Sequence, residues 1–155
     1  MRRLAIPALA LALLVAGCGE TDDSTPVACR EGPQVYLAAL EDAPAEVALE
    51  GETPISDCLA ENQAGGALAE VGAAMLAAAT KLSSAARADP GGVANVRLGY
   101  LLGAAQRGAD RSAGIHAELL RRLSAAARYT PGDQPLSPGF LRAYREGFEA
   151  GRSGG

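Results

Sequence analysis

Tryptophan is absent, histidine occurs once, phenylalanine twice, and lysine once against 13 arginines. A single histidine cannot build a multi-histidine metal centre. Six aromatic residues in 155 are too few to line a large aromatic ligand cavity. Three cysteines fall short of a disulfide-dense scaffold. Long apolar runs are missing as well. A spanning helix needs about 20 apolar residues, and the most apolar stretch after the start, residues 65–80, carries Glu70 and few large side chains. What is abundant is small: 34 alanines and 19 glycines. Such a chain fits one small domain built by close approach of backbones.

Met1-Arg2-Arg3 is a short positive start, followed by an apolar run from Leu4 to Ala16 broken only by Pro7. That run is too short to span a membrane and has the form of a secretory signal. It ends Leu14-Val15-Ala16-Gly17-Cys18. This sequence resembles the lipobox of bacterial lipoproteins: an aliphatic residue, two small residues, then cysteine. The resemblance covers residues 1–18 alone. It implies cleavage between Gly17 and Cys18, a diacylglyceryl thioether on Cys18, and acylation of the new amino terminus. Two or three acyl chains hold a protein stably to a bilayer, where one does not. The expected partner is therefore the membrane, reached through lipid on the extracytoplasmic side.

With Cys18 lipidated, Cys29 and Cys58 remain as a pair. Exported proteins meet oxidising conditions, so a Cys29–Cys58 disulfide is expected. The spacing fits neither a CxxC redox motif nor a zinc motif. Residues 18–28 are acidic and polar and read as a flexible tether, residues 29–150 as a helical domain, and residues 151–155 as a disordered tail.

The fold class expected is all-α, a small antiparallel bundle of about four main helices. Pro33 opens a short helix that ends before Pro44. Val47 and Leu49 alternate with Glu46, Ala48 and Glu50 as one short extended segment, and a lone strand makes no sheet. From Ser56, with Ser56 or Asp57 as cap, helical periodicity takes over, weakened at Gly65-Gly66. Leu68, Val71, Met75, Ala79 and Leu82 form one face, running to about Ala88. Asp89-Pro90-Gly91-Gly92 is a stop. Residues 93–107 carry a wide apolar stripe, which marks a central helix. Gly99 and Gly103 are spaced for tight packing within the chain. The next helix is expected over 110–129, capped by Asp110 or Ser112, with Ile115, Leu119, Leu123 and Ala126 as its face. Ser137 and Pro138 start the last helix, where Phe140, Tyr144 and Phe148 share a core-facing side.

Chemistry-bearing groups are sparse. His116 sits in Gly114-Ile115-His116-Ala117-Glu118, an order shared with zinc deaminases, but the Pro-Cys-x-x-Cys partner is absent. A structural, hydrogen-bonded histidine is the favoured reading, and no enzymatic activity, cofactor or metal is expected. Charge is uneven: residues 18–86 carry 12 acids against 2 bases, and residues 87–155 carry 10 bases against 6 acids. One reading is attraction between the halves of the bundle. The other gathers Arg107, Arg111, Arg121, Arg122 and Arg128 into a basic surface for anionic headgroups or an acidic polymer. Nucleic acid is a poor partner for an exported, net-acidic chain. The function expected is a membrane-anchored envelope lipoprotein whose helical domain binds or scaffolds another envelope component. Two alternatives stand beside it: a small-ligand carrier with an apolar pocket around Met75, Tyr100 and Phe148, and a hydrolase using His116 with carboxylates.

Overall fold

The computed structural model describes residues 24–128 and 134–155. Cys18, the signal reading of residues 1–17 and most of the tether lie outside them. The described chain is all-α, with five α-helices, short 3-10 turns and one two-stranded ladder. The helices are α1 (Pro33–Ala39), α2 (Gly65–Ala88), α3 (Val93–Ala109), α4 (Ala117–Arg128) and α5 (Pro138–Gly154).

The helical domain starts earlier than the tether reading of residues 18–28 allows. Thr25 and Ala28 are already buried, and Val27–Arg30 form a 3-10 turn. This turn places Cys29 against Cys58 in a fully buried disulfide, Cα atoms 5.4 Å apart. Gly32, at φ +97°, makes the reversal into α1, a conformation that costs glycine little. The buried Tyr36 hydroxyl donates to the Cys29 carbonyl at 2.8 Å, which satisfies it. The extended segment around Val47 finds a partner after all. Ala48–Leu49 (β1) pairs antiparallel with Thr53–Pro54 (β2), and Val47 and Leu49 point into the core.

The helix expected from Ser56 is replaced by a 3-10 turn, Ile55–Cys58, after which Leu59 leaves helical geometry. The disulfide and the loop behind it hold the chain there. α2 begins at Gly65, so Gly65-Gly66 form its first turn instead of a kink. Its buried side is mostly alanine, with Val71, Met75 and Leu82 at spacings of four and seven residues. Asp89-Pro90-Gly91-Gly92 stops it as expected. Asn95, fully buried at the start of α3, donates to the Asp89 carbonyl at 3.1 Å and so occupies an acceptor beyond the end of α2.

α3 is the central helix, with 11 of its 17 residues buried. It packs on α2 and most closely on α5. A methyl group on Gly99 would collide with the Tyr144 carbonyl, and one on Gly103 with the Phe148 carbonyl. From the other side, Gly147 meets the Val96 carbonyl and Gly151 the Tyr100 carbonyl. Positions rise together along both helices, so α3 and α5 run parallel, as alternate members of an up-and-down bundle do. Two Gly-x-x-x-Gly pairs thus mesh backbone to backbone.

Three expectations are corrected at helix ends. α4 starts at Ala117, not at Asp110, because residues 110–116 form a turn through left-handed Ala113 (φ +47°) and Gly114 (φ +89°). Ile115 consequently precedes the helix and is exposed, while Leu119, Leu123 and Ala127 are buried. Residues 151–154 continue α5, Gly151 is buried and Gly155 lies against Ala104, while residues 152–154 stay exposed. Ser137 caps α5 as expected, its Oγ accepting from the Phe140 amide at 3.1 Å.

Candidate functional site

The most organised polar cluster surrounds His116. The turn of residues 110–116 sets Ser112 and His116 four residues apart on its inner side, both with no exposed surface. His116 Nδ1 lies 2.7 Å from Ser112 Oγ, and Nε2 lies 2.8 Å from Gln63 Oε1. Ser112 Oγ also reaches the Ala109 carbonyl at 2.8 Å. Gln63 Nε2 donates to the Cys58 carbonyl and to Thr25 Oγ1, each at 2.9 Å.

Donor and acceptor rules assign the protons. The Cys58 carbonyl only accepts, which fixes the Gln63 amide with its oxygen toward the ring. Nε2 therefore carries a hydrogen. In the neutral ring, Nδ1 then accepts from the Ser112 hydroxyl. Burial pushes the His116 pKa below its usual 6.5, since a charged ring loses its water. The cluster joins three parts of the chain: the amino-terminal segment at Thr25, the loop after Cys58, and the turn between α3 and α4.

Ser112 and His116 stand at the distance of a nucleophile and its base. Their burial keeps a reacting carbonyl away, and the second ring nitrogen faces an amide, not a carboxylate. Among the described residues, no carboxylate hydrogen-bonds the ring. Among the described residues no group of three or more His, Cys, Asp and Glu side chains is gathered for a metal ion.

The five arginines are dispersed. Arg111 pairs with Asp57 at 3.0 Å and donates to the Ser56 carbonyl, tying the α3–α4 turn to the 3-10 turn of the amino-terminal half. Arg121 and Arg122 share Glu118 at 2.7 and 2.8 Å, and their hydrogen bonds lower the Glu118 pKa to about 2. Arg107 donates to the Ser153 carbonyl at the end of α5. Arg128 is exposed at the rim of a groove between α3, α4 and α5. Arg111, Arg121 and Arg122 thus already meet carboxylates, and Arg152, outside the set, meets Asp110 at 2.9 Å.

That groove, about 290 Å³, is lined by Leu102, Leu120, Tyr144 and Phe148. The carrier alternative needed Met75, Tyr100 and Phe148 around one cavity. Met75 and Tyr100 are fully buried in the core, and Phe148 lines the open groove instead. The residues that pattern reading missed are Gln63, Thr25, Ser112, Gly147 and Gly151. For the two glycines the signal was visible, a second pair at spacing four. For Gln63 there was none, because its partner lies 53 positions away.

Compared with protein-family models, with curated proteins and with solved structures, the chain gives no match. No described helix is long and apolar enough to cross a membrane.

Proposed function

We propose that the chain is an envelope lipoprotein, held on the extracytoplasmic face of a membrane by lipid on Cys18, whose helical domain is a non-catalytic binding or scaffolding module. The observation that carries this reading is the lipobox-like Leu14-Val15-Ala16-Gly17-Cys18 standing ahead of a domain with a buried Cys29–Cys58 bond. Disulfides persist outside the reducing cytosol. One leader sequence and one oxidised pair thus point to the same compartment by separate chemistry.

The sealed Ser112–His116–Gln63 cluster supports a structural use of the polar groups that would otherwise attract a catalytic reading. Recognition falls to the outer surface. The partner is another envelope protein or an anionic surface polymer, met through exposed arginines such as Arg128. Fractionation of cells carrying the native chain or Cys18→Ala tests the anchor. The native chain is expected in the membrane fraction as a processed form, and the variant as a precursor that keeps residues 1–17. Equal processing and equal membrane retention of both would defeat the proposal.

A further inference from the structure

We propose that His116 works a proton-sensitive latch: protonation of its ring releases residues 24–28 and the loop of residues 60–64 from the bundle, while the Cys29–Cys58 bond keeps the two 3-10 turns that carry it joined. The inference does not depend on the lipid anchor.

The geometry of the cluster is the ground for it. On one side the ring is backed by the α3–α4 turn, through Ser112 and the Ala109 carbonyl. On the other side it is covered by Gln63, which is only half-buried, and behind Gln63 by Thr25. Water can reach a charged ring most directly by lifting that thin cover. Gln63 holds the ring, the Cys58 carbonyl and Thr25 at once, so one displaced side chain frees the loop and the amino-terminal segment together.

The closed state can accept the proton for a time. Nδ1–H would donate to Ser112 Oγ, whose hydroxyl turns to the Ala109 carbonyl, so no hydrogen bond is lost. What the closed state lacks, among the described residues, is a counter-charge. Asp57 and Glu61 lie on the side of the Cys58 loop, Asp110 and Arg111 in the turn, Glu118 on α4, Glu70 on α2 and Arg30 in the first 3-10 turn. Asp57 is paired with Arg111, Asp110 with Arg152, Glu118 with Arg121 and Arg122, and Glu70 with Arg30. Glu61 is exposed. None of them hydrogen-bonds the ring, and burial pushes its pKa down. A buried cation with no carboxylate beside it favours the open, hydrated state.

The test follows the full 155-residue chain, labelled with ¹³C and ¹⁵N, by nuclear magnetic resonance from pH 8 to pH 4. The expected result is a His116 ring titration with its midpoint below 6.5 and coincident shifts at Thr25 and Gln63. Amide exchange at residues 24–28, corrected for its intrinsic pH dependence, should rise up to about tenfold per pH unit while the open state binds one extra proton. Signals of Gly99 and Gly147 should hold. In His116→Gln the coincident shifts should vanish. The latch is overturned if the ring titrates while Thr25 and Gln63 stay still, or if the ring does not titrate above pH 4. It is equally overturned if Gly99 and Gly147 move at the same pH, or if the shifts persist in His116→Gln. Should that variant not fold, the readings on the unsubstituted chain decide alone.

Discussion

At Ala113 the backbone takes a left-handed turn with a side chain in place, at φ +47°. An L-residue there is strained relative to glycine. Ala113→Gly should therefore raise stability by about 0.5–1 kcal/mol, seen as a higher denaturant midpoint at unchanged slope; a lower midpoint would mean the turn is unstrained. Three residues on, His116 makes stability depend on pH. Its folded pKa lies below the unfolded value of 6.5. The unfolded chain thus takes up the proton first as pH falls. Stability from this residue is intact above pH 6.5, declines as pH drops toward the folded pKa, and levels off below it. Urea melts at pH 7.5 and pH 5 should show the loss, and His116→Gln should remove much of the difference. The disulfide was readable because lipid on Cys18 would leave only two thiols. The partners of His116 were not, because an amide such as Gln63 carries no signal at a distance of 53 residues.

Helix positions follow their neighbours more than their propensities. Gly147 and Gly66 are both helical glycines. A methyl group on Gly147 would run into the Val96 carbonyl of α3, while one on Gly66 meets open space. Gly147→Ala should cost more than about 2 kcal/mol, since two backbones must separate. Gly66→Ala should be neutral or stabilising by up to about 1 kcal/mol. Thermal melts of the two variants make the comparison, and similar effects would contradict the meshed α3–α5 contact. Periodicity and stop signals located α3, the end of α2 and the start of α5. The start of α4 escaped because Ser112, a good cap residue, has its Oγ engaged between the Ala109 carbonyl and the His116 ring. The carboxy-terminal glycines looked frayed for a similar reason. Glycine signals freedom in isolation, yet here its small size is what α3 demands of Gly151.

Among the described residues, the acidic and basic parts of the chain meet at the exposed pair Arg111–Asp57. Exposed pairs of this kind contribute little each, so burial of small apolar residues and the disulfide hold the domain. Cys29→Ala with Cys58→Ala should lower stability by about 3–4 kcal/mol through the loop the bond closes. Denaturant melts of oxidised and double-variant protein give that difference, and a change near zero would mean the loop is held by packing alone. Retention at the membrane should survive 1 M salt, which screens surface charge but leaves buried acyl chains in place.

The most direct test is mass spectrometry of the amino-terminal peptide from membrane-isolated protein. The expected peptide begins at Cys18, with diacylglycerol on its sulfur and an acylated amine. A peptide that begins at Met1, or a Cys18 with a bare thiol, would contradict the anchor and the envelope role that rests on it.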